Sequence, residues 1–376
     1  MITAGIDAPI GPIPSMVMLD AQTVKGAKRI TRSGSLGRTP FPCGVTPFCS
    51  RSAGASHSSR RRPRRYAGSM SRAGPGYDWG QRSPRWAGVT SEVVVIGGTR
   101  VHYLQAGVEG NGPTHLLIHP MGAGAWSWMD VIGPLSASGL VIAPDLPGSG
   151  RSRPVHRGGG DAFAGAQFLD DFTAALAIER VVVHGHSMGG LVGGLFAGGV
   201  PDRVERLVLT SAPLPGLPDP PRFPAAWRVG FELSRPVAYV LVGAGFRLKA
   251  DTWRRQVEEG DSSRLGPEVS RMSPELLSLA AEEVGRLVLP WRVEGAVDAA
   301  IAVLRALTVD EARTREALDS ITAPTLLLWG ADDRVIPQRL IDEVKVAHPS
   351  WRSRTIDGVG HLLPWESPAL YVELAE

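Results

Sequence analysis

Ser187 occupies the centre of Gly185-His186-Ser187-Met188-Gly189, directly after the apolar run Val181-Val182-Val183 and before a helix-compatible stretch. A serine at the apex of a sharp strand-to-helix turn projects its hydroxyl outward, in a backbone conformation that stores strain. The helix start beyond it offers free amides to developing negative charge. Residues two before and two after the apex come too close to other backbone for a Cβ, which accounts for Gly185 and Gly189. In a chain with 45 glycines the bare spacing arises readily by chance. The preceding strand and following helix are independent requirements, and the sequence meets both.

A serine nucleophile needs a base within about 3 Å and a carboxylate to hold that base in the right tautomer. The chain has nine histidines. His184 and His186 adjoin the serine but are poor bases for it, because neighbours in a tight turn point elsewhere. His361, in Gly358-Val359-Gly360-His361-Leu362, falls where a loop after a last strand can deliver it. The carboxylate lies in Trp329-Gly330-Ala331-Asp332-Asp333-Arg334-Val335. Composition alone leaves Asp332 and Asp333 as rivals.

The elements that must position these groups alternate. Val93–Ile96 and Val101–Leu104 flank a Gly-Gly turn and read as a hairpin. His115–His119, Leu140–Ala143, Val181–Val183, Leu207–Leu209 and Leu326–Leu328 are short continuous apolar runs, the pattern of strands covered on both faces. Helical stretches intervene at Ala162–Ala177 and Met188–Gly198. This predicts an α/β class with a mostly parallel central sheet flanked by helices. From about 213 to 318 the alternation stops, and helical patterns at Trp227–Val242, Pro274–Leu289 and Glu294–Leu307 predict a helical cap over the carboxyl edge of the sheet. Trp227, Phe231, Phe246, Trp253 and Trp291 give the cap its own core, with one or two left to line a substrate tunnel.

Over roughly residues 91–376 these segments, in this order, resemble the α/β-hydrolase superfamily, esterase- and lipase-like in Gly-His-Ser-Met-Gly-Gly. The resemblance implies Ser187 as nucleophile, His361 as base and an acid three residues after Gly330, which favours Asp333 over Asp332. It also implies an oxyanion hole from the backbone N–H groups of Met121, after His119-Pro120, and Met188. The family usually has Gly where Pro120 stands; Met121 keeps its N–H, so the departure concerns loop shape. His119 reads as a brace, and Asp145-Leu146-Pro147-Gly148-Ser149-Gly150-Arg151 as a structural turn with Asp145 and Arg151 free for local bonds.

The expected function is that of a serine hydrolase cleaving a carboxylic ester of a small molecule through an acyl-enzyme. The alternatives are a C–C bond hydrolase of the meta-cleavage product type, relatives that often have Asn where His186 stands, a cofactor-free perhydrolase, and a non-catalytic ligand-binding relative. No metal-ligand cluster or cofactor motif is evident, so neither is expected.

Charge divides the chain. Residues 1–90 hold 14 Lys and Arg against Asp7, Asp20 and Asp78, about +11, whereas the remainder is about −8. The pI of about 9.1 therefore belongs to the first ninety residues, a Gly/Pro/Ser/Arg-rich segment expected to be a disordered basic extension. Its run Arg60–Arg65 is the sole hint of nucleic-acid binding, which the acidic domain argues against. Met70 is a plausible alternative initiator. Both cysteines, Cys43 and Cys49, lie in this segment, so the domain needs no disulfide. No apolar run reaches the ~20 residues of a membrane helix, and the expected location is cytoplasmic.

Overall fold

The structure is a computed structural model that describes residues 76–154, 161–216, 266–286 and 289–376, together with scattered positions between 236 and 255. The basic run, Met70, both cysteines and the cap residues Trp227, Phe231, Phe246 and Trp253 lie outside the described residues.

Eight strands form one sheet: β1 (Thr90–Ile96), β2 (Thr99–Ala106), β3 (Thr114–Ile118), β4 (Leu140–Pro144), β5 (Val181–His186), β6 (Val204–Thr210), β7 (Thr325–Gly330) and β8 (Arg352–Ile356). Their order is β1-β2-β4-β3-β5-β6-β7-β8. β2 is antiparallel to β1 and β4; every later pairing is parallel. This is the α/β-hydrolase fold.

The continuous apolar runs serve two cores at once, because successive strand side chains point to opposite faces. Leu116, Ile118, Leu207, Leu209 and Leu327 face one core with α2 (Ala162–Ala175) and α3 (Met188–Gly199). Leu117, Val208 and Leu328 face the other, with α1 (Met129–Leu135) and the C-terminal helix Pro368–Ala375. β8 escapes any apolar-pattern reading because it is an edge strand whose first four residues, Arg352–Thr355, are all exposed.

Between β6 and β7 the described cap comprises α4 (Pro267–Ser270), α5 (Pro274–Gly285), α6 (Pro290–Leu307) and α7 (Glu311–Asp319). The helix expected over Pro274–Leu289 ends at Gly285, and the one expected from Glu294 begins earlier, on Pro290, before which Leu289 is extended (φ −64°, ψ 130°). Beyond β7 follow α8 (Gln338–Ala347), α9 (Leu363–Glu366) and α10 (Pro368–Ala375).

Residues 76–89, expected to belong to the basic extension, are ordered against the domain. Two 3₁₀ turns, Trp79–Gln81 and Pro84–Trp86, bury both tryptophans. Trp86 Nε1 donates to Asp130 Oδ1 at 2.8 Å, Arg85 Nε donates to the same oxygen at 3.0 Å, and Ser273 Oγ of the cap donates to Oδ2 at 2.7 Å. Asp130 therefore ties this segment, α1 and the start of α5 together. Segment 76–89 escaped the domain boundary because its apolar content is a few separated tryptophans with no strand or helix period.

Candidate active site

The turn after β5 carries Ser187 at φ 53°, ψ −123°, a region that L-residues rarely occupy. Local bonds impose it: Ser187 N–H donates to Thr210 O at 2.8 Å, and Gly190 N–H donates to Ser187 O at 2.8 Å. A Cβ at Gly185 would stand 2.5 Å from Gly189 O, and one at Gly189 would stand 2.2 Å from Ile118 O. Both glycines thus permit strand-to-helix contact that any side chain would forbid.

His361 arrives from the loop after β8. Gly330 lets that loop cross the end of β7, since a Cβ there would lie 2.2 Å from Gly360 O and 2.3 Å from Val359 O. Asp332 N–H donates to Val359 O at 2.9 Å, clamping the two loops together. His361 Nε2 then lies 3.0 Å from Ser187 Oγ, and Nδ1 lies 2.9 Å from Asp333 Oδ2. The other oxygen, Asp333 Oδ1, accepts from Val335 N–H (2.8 Å) and Ile336 N–H (2.9 Å). The Asp333 side chain is fully buried, whereas Asp332 is exposed and its backbone N–H is its link to the loop. Of the two rival carboxylates, it is Asp333 that lies against His361.

Burial works against ionising Asp333, but the hydrogen bond and charge of His361 and the two amides outweigh it and hold the carboxyl below its ordinary value. An ionised Asp333 has no proton to give, so Nδ1–H donates to it and Nε2 is left as an acceptor for the Ser187 hydroxyl. That is the tautomer general-base chemistry requires.

Among the described residues, the histidines nearest this site other than His361 are engaged elsewhere. His119 is fully buried, and burial lowers its pKa. Its Nε2 accepts from Leu146 N–H at 3.0 Å, so Nδ1–H donates to Pro120 O at 2.8 Å and braces the loop that carries Met121. His186 Nε2 donates to His361 O at 2.8 Å, and burial, with the charge of His361 next, pushes its pKa down to about 3. A ring that stays neutral and holds the backbone of His361 is a support. His184 faces away, bonded to His115 Nδ1 and Tyr371 OH at 3.0 Å each.

Asp145 carries more than local bonds. It accepts from Ala125 N–H (2.6 Å), Arg151 N–H (2.7 Å) and His102 Nδ1–H (2.6 Å). Burial opposes its charge, yet the charge and hydrogen bond of His102, then the charge of His119 and the amide of Arg151, bring its pKa down to about 2. His102 Nε2 bonds Ser91 Oγ at 3.0 Å, and Trp79 Nε1 donates to that same hydroxyl at 2.9 Å. This second Ser-His-Asp chain thus stitches segment 76–89 to β1, β2 and the loop after β4. A small cleft beside it is lined by Trp79, His102, Leu104, Trp126, Asp145 and Arg151, among others, and by none of Ser187, His361 and Asp333.

Three groups beside His361 had no role in the sequence reading. Glu366 Oε1 accepts from Gly360 N–H (3.0 Å) and Leu362 N–H (3.1 Å), and its Oε2 accepts from Arg271 at 2.8 Å. Glu268, from the cap, accepts from His361 N–H at 3.3 Å. Glu366 lies in the same segment just after His361 and was in principle findable; Glu268 and Arg271 carried no signal, since only tertiary packing brings the cap to that loop.

The model for the alpha/beta hydrolase family matches residues 116–374. The chain belongs to that family. Among curated relatives, this hydrolase is 29% identical over 261 residues to the pimeloyl-[acyl-carrier protein] methyl ester esterase of Citrobacter koseri, covering 67% of this chain and 89% of the esterase. It is 27% identical over 289 residues to a 2-hydroxy-6-oxononadienedioate/2-hydroxy-6-oxononatrienedioate hydrolase of Cupriavidus pinatubonensis, covering 74% and 91%. Among solved structures, the enol-lactonase of Burkholderia xenovorans matches with TM-score 0.55 and 21% identity over 75% of this chain and 97% of the other, a likeness of fold. Among the described residues no helix is long and apolar enough to cross a membrane, and no cluster of His, Cys, Asp and Glu could hold a metal ion.

Proposed function

We propose that this hydrolase cleaves a carboxylic ester of a small molecule through an acyl-enzyme on Ser187. The observation that carries the reading is the unbroken chain Ser187 Oγ–His361–Asp333, at 3.0 and 2.9 Å, on a serine held at positive φ. Ser187 Oγ attacks the carbonyl carbon as its proton passes to His361 Nε2, and Asp333 stabilises the imidazolium. The amide of Met188, first residue of α3 and therefore without an intrahelical acceptor, and that of Met121 receive the tetrahedral oxyanion. Collapse expels the alcohol, which takes the proton from His361. Water, deprotonated by the same ring, then releases the acid and restores Ser187.

The relation to a methyl ester esterase supports this reading, and the relation to a dienedioate hydrolase supports a second, C–C bond cleavage with the same three residues. Hydrolysis of p-nitrophenyl esters of graded chain length, with a Ser187→Ala control, separates them. Ester turnover reduced by at least ~10³-fold in the control is expected. Turnover unaffected by the substitution refutes the role of Ser187, and no turnover on any ester transfers the proposal to C–C substrates.

A further inference from the structure

The cap reaches the base itself. α4 is a single turn, yet it grips the loop 358–362 twice: Glu268 Oε1 accepts from His361 N–H at 3.3 Å, and Arg271 donates to Gly358 O and to Glu366 Oε2. Glu268 lies directly over Gly360, where a Cβ would stand 2.2 Å from its Oε1. Between them Glu268 and Glu366 take the three consecutive amides of Gly360, His361 and Leu362.

We infer that Glu268 is a positioning residue for His361, supplied by the cap, so that the base reaches full strength only with α4 seated and the Glu268 carboxylate ionised. The inference rests on the proposed role of His361 as base. Its physical content is twofold. The bond to His361 N–H fixes the backbone from which the ring projects, and a second carboxylate beside Asp333 favours the imidazolium that forms as Ser187 is deprotonated. The charged and titratable groups around this point are Asp333 from the loop after β7, Glu366 from α9, Arg271 at the end of α4, His186 at the end of β5, and Ser187. Arg271 is engaged by Glu366 and Gly358, which leaves Glu268 with an amide as its partner. Burial first, and the neighbouring charge of Glu366 after it, raise the pKa of Glu268 above the ordinary carboxylate value. Protonation of Glu268, which releases the latch, therefore sets in at a higher pH than for an ordinary carboxylate.

The test uses the full-length chain and a fluorophosphonate probe, whose attack by Ser187 needs the base but no particular ester. Labelling rates are measured across pH for wild type, Glu268→Gln and Glu268→Ala, with thermal unfolding of each. In the Gln variant the amide oxygen still accepts from His361 N–H, so a purely structural role leaves the pH profile in place. The inference expects Glu268→Gln to melt with wild type, to label about three- to fivefold more slowly on the plateau, and to have its acid limb at lower pH, because a weaker base is protonated later. Glu268→Ala, lacking the bond as well, is expected to be slower still. A Gln variant with wild-type rate and wild-type limb overturns the inference. Wild type that fails to label at Ser187 overturns the reading of the site beneath it, a separate result.

Discussion

Asp333→Asn is the substitution that most sharply interrogates the site, because the structure dictates which way the new amide must face. Asp333 Oδ1 accepts two backbone N–H groups, from Val335 and Ile336, at 2.8 and 2.9 Å. An NH₂ group in that position would meet two donors, so the asparagine must put its oxygen there and turn its NH₂ to His361 Nδ1. Nδ1 then has to accept, which places the ring proton on Nε2, 3.0 Å from Ser187 Oγ. A protonated Nε2 cannot take the serine proton. The same carboxylate-to-amide change in a serine-protease triad costs about 10⁴-fold in kcat, so a loss of 10³- to 10⁴-fold, about 4–5 kcal/mol of barrier, is expected here. Stability changes little, by about 1 kcal/mol, since both backbone bonds and the burial are kept. Asp332→Asn, at an exposed position, should leave kcat within about twofold. The assay is p-nitrophenyl ester hydrolysis alongside thermal unfolding. An Asp333→Asn enzyme retaining a tenth of wild-type kcat, or an Asp332→Asn enzyme equally impaired, refutes the tautomer argument.

Two stability predictions concern the support of the site. Asp145, with a folded pKa of about 2 against an ordinary 3.8, contributes stability that is fully present above about pH 4 and is lost as pH falls toward 2, about 2 kcal/mol in all. Urea unfolding at about pH 6 and about pH 2.5 should show wild type losing more of its stability than Asp145→Asn; identical losses would contradict the assignment. Trp86 is fully buried and donates to Asp130, so Trp86→Ala should cost about 4 kcal/mol by the same measurement, whereas a loss under 1 kcal/mol would mean that segment 76–89 is not part of the core.

The features legible from sequence are those whose physics is local. Strands covered on both faces must be apolar throughout, so β3 to β7 could be read as runs, with their ends displaced by up to three residues. The elbow was legible because a serine at positive φ requires glycines at fixed offsets and a helix immediately after. His361 and Asp333 were legible through the spacing of their loops, which the crossing of Gly330 by the 358–362 loop enforces. β8 was missed because an exposed edge strand has no reason to be apolar, and the first of these cap helices was drawn past its end at Gly285 because the apolar residues Leu287–Leu289 continue its pattern.

What the tertiary structure alone decided is which side chains meet across long stretches of chain. Nothing in the neighbourhood of Glu268, 93 residues before His361, marks it as a partner of that amide. The same holds for Asp130 as the node joining residues 85, 86 and 273, and for His102 and Ser91 beneath Asp145. A hydrogen bond between distant residues imposes no period and no spacing on the sequence, only the presence of one donor and one acceptor. The chemistry proposed for Ser187 was therefore written locally, whereas the shell around His361 exists only once the cap and the sheet have packed.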